Sequence, residues 1–174
     1  DRHNSQLLID DTLDGASRAF QIATHIAYTA MRREIAALVE GGKFASPTAA
    51  NLVKRNLAGY AAAAILMPYD RFARAVPDAV RRAAWIGARA VQVRSYDIEA
   101  LSRQFRTSFE QVAHRLTTLQ RPGASRIPFF FIRVDPAGNV SKRLDGAGFP
   151  FAAHGGGCPL WSVHSVFRTP GEIV

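Results

Sequence analysis

Cysteine is almost missing from this chain of 174 residues. Cys158 stands alone, which excludes an internal disulfide framework and, without ligands from elsewhere, a cysteine-built zinc or iron–sulfur site. That usage suits a reducing cytosol. Long apolar runs are absent as well: nowhere do eighteen uncharged apolar residues follow one another, and the opening DRHNSQLLID lacks the layout of a signal peptide. A soluble, cytoplasmic chain with no membrane partner is expected. Lysine is confined to Lys43, Lys54 and Lys142, so the net charge of +8 is carried almost wholly by arginine. Missing too is the second half of a metal motif. The apolar stretch FQIATHIAYTAM, residues 20–31, has the spacing on which a zinc peptidase helix carries His-Glu-x-x-His, yet it holds only His25.

What is present bounds the fold. With 48% hydrophobic residues the chain can bury one sizeable core or two small ones. Apolar residues recur at three- and four-residue intervals from Leu13 to Glu40, which predicts one long helix, bent or straight, ending at Gly41-Gly42. Ser46-Pro47-Thr48 opens a second helix that runs to Pro68, its alanines allowing close helix packing. A third starts at Tyr69, breaks at Pro77 and resumes through DAVRRAAWIGARA. YDIEALSRQFRTSFEQVAHRL predicts two short helices around a tight turn at Arg106-Thr107-Ser108.

Two readings of that last pair stand open. One is a helical hairpin packed on the core. The other is a helix-turn-helix over residues 96–116 whose Gln111, His114 and Arg115 present side chains to DNA.

Beyond Arg121-Pro122-Gly123 the composition turns to β. Pro128–Val134 and Val140–Leu144 predict a hairpin about Asp135-Pro136-Ala137-Gly138-Asn139. Alternation sets Phe129, Phe131 and Arg133 on one face and Phe130, Ile132 and Val134 on the other. The tail FPFAAHGGGCPLWSVHSVF brings His154, Cys158 and His164 near one another in sequence, but at no zinc-finger spacing and without a fourth ligand. A glycine loop close to a ligand or another strand, or plain turn chemistry, fits it better. The fold class expected is α+β: residues 1–120 mainly helical and 121–174 β-rich, together one compact unit. Both ends look cut, as in a fragment of a longer protein.

The strings NLAGYAAAAILMPYDRF, YDIEALSRQFRTSFEQVAHRLTTLQRPG, PFFFIRVDPAGNVSKR and FPFAAHGGGCPLWSVHSVF, in order along nearly the whole chain, resemble the C-terminal region of XRE-type bacterial regulators of short-chain fatty acid metabolism, which control the methylcitrate and glyoxylate routes. Those regulators resemble in turn the ImmA/IrrE-type zinc peptidases, whose Ala-Asn-x-Phe-Ala-x-x-Leu-Met-Pro phrase is echoed at Ala58–Pro68. Laid on the peptidase pattern, Thr24 and His25 fall at the first histidine and the glutamate, Tyr28 at the second histidine, and Arg55 at or near the glutamate of the next helix. Zinc needs three good ligands and a water, and hydrolysis needs a carboxylate base. The helical two-thirds is thus expected to be a degenerate peptidase scaffold packed on a small antiparallel sheet, with no catalytic and no metal-binding residues.

The resemblance implies an effector, CoA or a short-chain acyl-CoA such as propionyl-CoA, and a DNA-binding domain on the N-terminal side of this chain. It implies that the unit is a ligand-sensing domain of a longer transcription regulator acting as a homodimer or higher homo-oligomer. Candidates for the CoA phosphates are Arg18, Lys43, Lys54, Arg55, Arg126, Arg133, Lys142 and Arg143, and for the adenine or pantetheine Tyr28, Tyr60, Tyr96 and Phe130. The favoured ligand-binding set is Arg18, Lys43, Tyr96, Phe130, Arg133, Lys142 and Arg143. Since regulators of this kind can carry an iron–sulfur cluster on cysteines of the C-terminal region, a redox-sensing module is the third alternative, for which this chain offers Cys158 alone.

Overall fold

In the computed structural model, residues 6–76, 97–125, 128–146, 148 and 167 are described. They form six helices followed by two strands: α1 (Gly15–Ala30), α2 (Arg32–Glu40), α3 (Pro47–Leu66), α4 (Tyr69–Ala75), α5 (Ile98–Phe105), α6 (Phe109–Leu116), β1 (Phe130–Val134) and β2 (Val140–Asp145). The order is α+β, as the composition shift predicts. The chain divides into two compact units, Asp1–Arg115 and Leu116–Val174. The expected helix over DAVRRAAWIGARA, and the tail with His154, Cys158 and His164, lie outside the described residues.

In the first unit, helix starts follow local capping chemistry. Asp14 accepts from the Ser17 amide at 2.7 Å to open α1, and Ser46 accepts from the Ala49 amide at 3.2 Å to open α3, with Pro47 in the first turn. Asp97 does the same for α5, accepting from Ala100 at 2.8 Å. The single long helix expected from Leu13 to Glu40 is in fact two. The backbone leaves helical geometry at Met31 (φ −110°, ψ 25°), two residues after Thr29, which donates its hydroxyl to the carbonyls of His25 and Ile26, both at 3.0 Å. Such back-bonding bends helices, and neither glycine nor proline marks it in the sequence.

The seam between α1 and α3 is built from small side chains. Ala27, Ala58 and Ala61 form a buried cluster with Ile35 of α2, and Tyr28 and Leu57 pack against it. Small residues bring the two backbones close, which is the role the alanine run suggests. Farther along, Phe72 of α4 meets Phe105 of α5 edge-to-face, ring centroids 5.3 Å apart, and Met67, Leu101 and Val112 are buried as well.

The tight turn between α5 and α6 places Arg106 in the left-handed region (φ 53°). Ser108 and Gln111 then form a reciprocal cap: the Ser108 amide donates to Gln111 Oε1 at 3.0 Å, and the Gln111 amide to Ser108 Oγ at 3.2 Å.

In the second unit, Arg121-Pro122-Gly123 makes the expected turn, closed by the Ala124 amide donating to the Arg121 carbonyl at 3.0 Å with Gly123 at φ 74°. The hairpin follows. Asp135 organises its turn, accepting from the Asn139 amide at 2.8 Å and the Asn139 side chain at 2.9 Å. The strands are antiparallel, pairing Phe131 with Leu144, Ile132 with Arg143 and Arg133 with Lys142, with an irregularity at Arg133/Val134. At the end of β2, Gly146 donates to the Phe129 carbonyl at 3.0 Å, and a Cβ there would collide with the carbonyls of Thr117 and Phe129. Glycine is required by that close approach.

Candidate functional site

The helices that carry the peptidase-like spacing frame a cleft of about 470 Å³ lined by Tyr28 of α1 and Thr48, Asn51, Leu52, Lys54 and Arg55 of α3. That volume falls in the range of small-molecule sites. The α3 residues follow from helical geometry: positions 48, 51, 52 and 55 are three and four apart and share one face, with Lys54 at its flank. Tyr28 enters from the facing helix because it packs beside the Ala27–Ala58–Ala61 seam. The two positions that the peptidase pattern aligns with the second histidine and the distal glutamate are therefore brought together in space, as Tyr28 and Arg55.

Their chemistry is the reverse of a metal centre's. Arginine is a permanent cation and a phenol is a poor zinc ligand at neutral pH, so the residues present do not fit zinc. Among the described residues, no three His, Cys, Asp or Glu side chains converge. Among the described residues, no acidic side chain lines the cleft. The ion pairs Arg103–Glu99 and His114–Glu110 do not involve Lys54 or Arg55. Two cations thus face one cleft without a carboxylate. His25 is exposed and is not part of the lining.

The favoured residues are distributed differently. Arg18 lies exposed on the first turns of α1, and Lys43 is exposed in the link between α2 and α3; neither lines the cleft. Tyr96 is outside the described residues. On the hairpin, Arg133 and Lys142 stand directly opposite each other on one face, whereas Arg143 pairs with Ile132 on the other, the face that also holds Phe130. Strand alternation therefore separates Phe130 from Arg133 and Lys142, whose face holds Phe131 instead. Arg133 is held by its Nε donating to Ser141 Oγ at 2.8 Å. Lys54, Arg55 and Tyr28 were visible as candidates among the cations and aromatics, but Thr48, Asn51 and Leu52 were not singled out. Their only sequence signal is the three-and-four spacing to Arg55.

The DNA-reading expectation for residues 96–116 is corrected by burial. Arg115 is only 2% exposed; its Nε donates to the Met67 carbonyl at 3.0 Å, and its guanidinium lies 5.8 Å and 5.9 Å from the rings of Tyr60 and Tyr69. Gln111 is engaged in the α6 cap. Two of the three side chains assigned to DNA are therefore committed inside the protein. Tyr60, a candidate for stacking on adenine, is likewise engaged with Arg115.

A helical scaffold with a cationic cleft at the positions that the peptidase pattern aligns with metal ligands defines the class of protein. Residues 1–117 match the IrrE N-terminal-like domain family, and residues 118–174 match the family described as short-chain fatty acyl coenzyme A regulator, C-terminal. The chain belongs to the IrrE N-terminal-like domain family and continues into the C-terminal region of the short-chain fatty acyl coenzyme A regulators. It is 40% identical over 174 residues to the HTH-type transcriptional regulator RamB of Mycobacterium tuberculosis, covering 100% of this chain and 34% of RamB. It is 38% identical over 173 residues to the propionyl-CoA carboxylase regulator of Cereibacter sphaeroides, covering 99% and 34%. A solved Mycobacterium tuberculosis transcriptional regulator superposes with a TM-score of 0.79 at 41% identity, over 94% of this chain and 45% of that one. The chain thus spans about a third of the length of these curated relatives.

Proposed function

We propose that this chain is the effector-binding region of a bacterial transcription factor that senses CoA or a short-chain acyl-CoA, propionyl-CoA in particular, and controls genes of fatty acid and propionate metabolism. One observation carries the reading: the corner where a peptidase would hold a metal is a cleft lined by Lys54 and Arg55 with no carboxylate. Exchanging a carboxylate for arginine changes the favoured guest from a cation to an anion, and CoA is an anion with phosphates at two places. The match of residues 118–174 to the short-chain fatty acyl coenzyme A regulators and the similarity to the Cereibacter propionyl-CoA carboxylase regulator support the choice of acyl-CoA.

In this reading the protein is not an enzyme. The helix that would supply a general base offers Thr24 in place of the first histidine and His25 in place of the glutamate, and Arg55 stands at or near the position of the distal ligand. Arg18, Lys43, Tyr96, Phe130, Arg133, Lys142 and Arg143 are proposed separately as ligand-contacting residues, with cations on phosphates and aromatics on the adenine or pantetheine. DNA is contacted by an N-terminal domain that is not part of this chain, in a cytoplasmic homodimer or higher homo-oligomer. Effector binding regulates only if its affinity differs between the regulator's two arrangements.

Calorimetric titration of the purified chain with CoA and with propionyl-CoA tests the proposal. Saturable heat together with a raised melting temperature is expected. Neither heat nor thermal shift from either compound sinks it.

A further inference from the structure

We infer that the α1–α3 cleft is an oligophosphate site, in which Lys54 and Arg55 hold adjacent phosphates of a nucleotide while Tyr28 and Leu52 cover its uncharged part. The inference rests on the reading of the cleft as an anion site and assigns which part of the anion it takes. The two cations differ in kind. Arg55 presents a planar fork matched to two oxygens of one phosphate, and Lys54 is a compact point charge able to serve a neighbouring phosphate. They are consecutive on α3, about 100° apart around the helix, so they reach a common anion from different directions rather than stacking on each other. Both are exposed, as are Thr48 and Asn51, and the latter two add a hydroxyl and an amide as neutral donors along the same face.

The remaining lining argues against a bare inorganic anion. Leu52, which is 55% exposed, and the half-buried ring of Tyr28 form an apolar wall beside the charges. A cleft of this volume is larger than a phosphate needs and suits a phosphate-bearing molecule with a planar or aliphatic portion. Two like charges lining one cleft repel each other, and a multiply charged guest removes that repulsion. A singly charged guest does so only in part. Discrimination among acyl chains is then assigned to contacts elsewhere, since this cleft reads phosphates.

The test uses the full chain with two probes, sodium pyrophosphate and CoA, by titration calorimetry at low and at physiological salt. Pyrophosphate and CoA are expected to compete, and CoA to bind the more tightly. Lys54→Ala and Arg55→Gln are each expected to weaken both probes about tenfold, the loss of one charge-assisted contact. Arg103→Gln, which removes an exposed arginine paired with Glu99, leaves both affinities unchanged. Because Lys54 and Arg55 are exposed, melting temperature and helical content of the variants should match the parent, which separates lost binding from lost fold. CoA binding that is indifferent to both substitutions overturns the inference and leaves the effector reading standing. Cleft-dependent pyrophosphate binding without CoA binding upholds the inference and removes the effector reading. Binding of neither probe removes both.

Discussion

Helix α3 is served by arginine in two opposite ways, by Arg115 of α6 at its C-terminal end and by its own Arg55 in its N-terminal half. At the C-terminal end Arg115 is buried, donates to the Met67 carbonyl that closes the helix, and lies beside the rings of Tyr60 and Tyr69. Its charge is satisfied by the helix end, where carbonyls point outward and a cation is favoured. Toward the N-terminal end Arg55 is exposed in a cleft beside a second cation, with no acidic residue in the lining. The comparison separates structural charge from binding charge: the first is buried and answered by the protein's own oxygens, the second is open and answered from outside. Sequence shows both as arginines on helices and gives no means of telling them apart.

The largest effect in that comparison belongs to the buried arginine. Arg115→Ala removes a charged donor from the Met67 carbonyl and leaves a void beside two tyrosines, so a loss of about 3 kcal/mol in unfolding stability is expected by denaturant titration. Arg55→Gln should change the same quantity by less than about 0.5 kcal/mol, and equal losses for the two would erase the distinction.

A smaller effect comes from the seam that joins the two ends. Ala58 has no exposed surface and packs with Ala27 and Ala61. Ala58→Leu is expected to lose about 1–3 kcal/mol through overpacking, while Leu52→Ala in the cleft wall is nearly neutral for stability. A measured stabilisation by Ala58→Leu would show that the helices can part without penalty.

The smallest effect separates the starts of the two facing helices. Asp14 caps α1 and its carboxyl is held below the ordinary carboxylate range, chiefly by the Ser17 amide, whereas α3 is capped by Ser46, which does not titrate. A depressed carboxyl contributes stability that is fully present above the unfolded value, about pH 4, and is lost as pH falls through the lower folded value. Acid should therefore fray Gly15–Arg18 before Pro47–Ala50, observable as earlier loss of amide exchange protection. Simultaneous fraying of both starts would contradict the assignment.

How much of this was legible beforehand depended on the range of the interaction concerned. Helix starts at Ser46-Pro47 and the hairpin turn at Asp135–Asn139 were readable because a cap or turn is settled within three to five residues. The break at Met31 was not, since no breaker residue stands there and the Thr29 back-bonds arise from a rotamer. The site was legible only in outline. Aligning FQIATHIAYTAM with the peptidase helix put Tyr28 and Arg55 on the same corner, and the structure brings them into one cleft. Choosing among the cations was beyond the sequence, because nothing local tells that Arg115 finds a carbonyl forty-eight residues back or that Arg133 finds Ser141 across the hairpin. Strand parity was readable, yet only the observed register showed Arg143 and Phe130 on the face away from Lys142.

The central claim is that the open cations of α3 receive an outside anion. Backbone amide NMR of the chain titrated with CoA tests it most directly. The account predicts saturable shift changes centred on Thr48–Arg55 and the region of Tyr28, with the Arg115–Met67 end of the helix little affected. Saturable binding whose shifts avoid Thr48–Arg55 would contradict it.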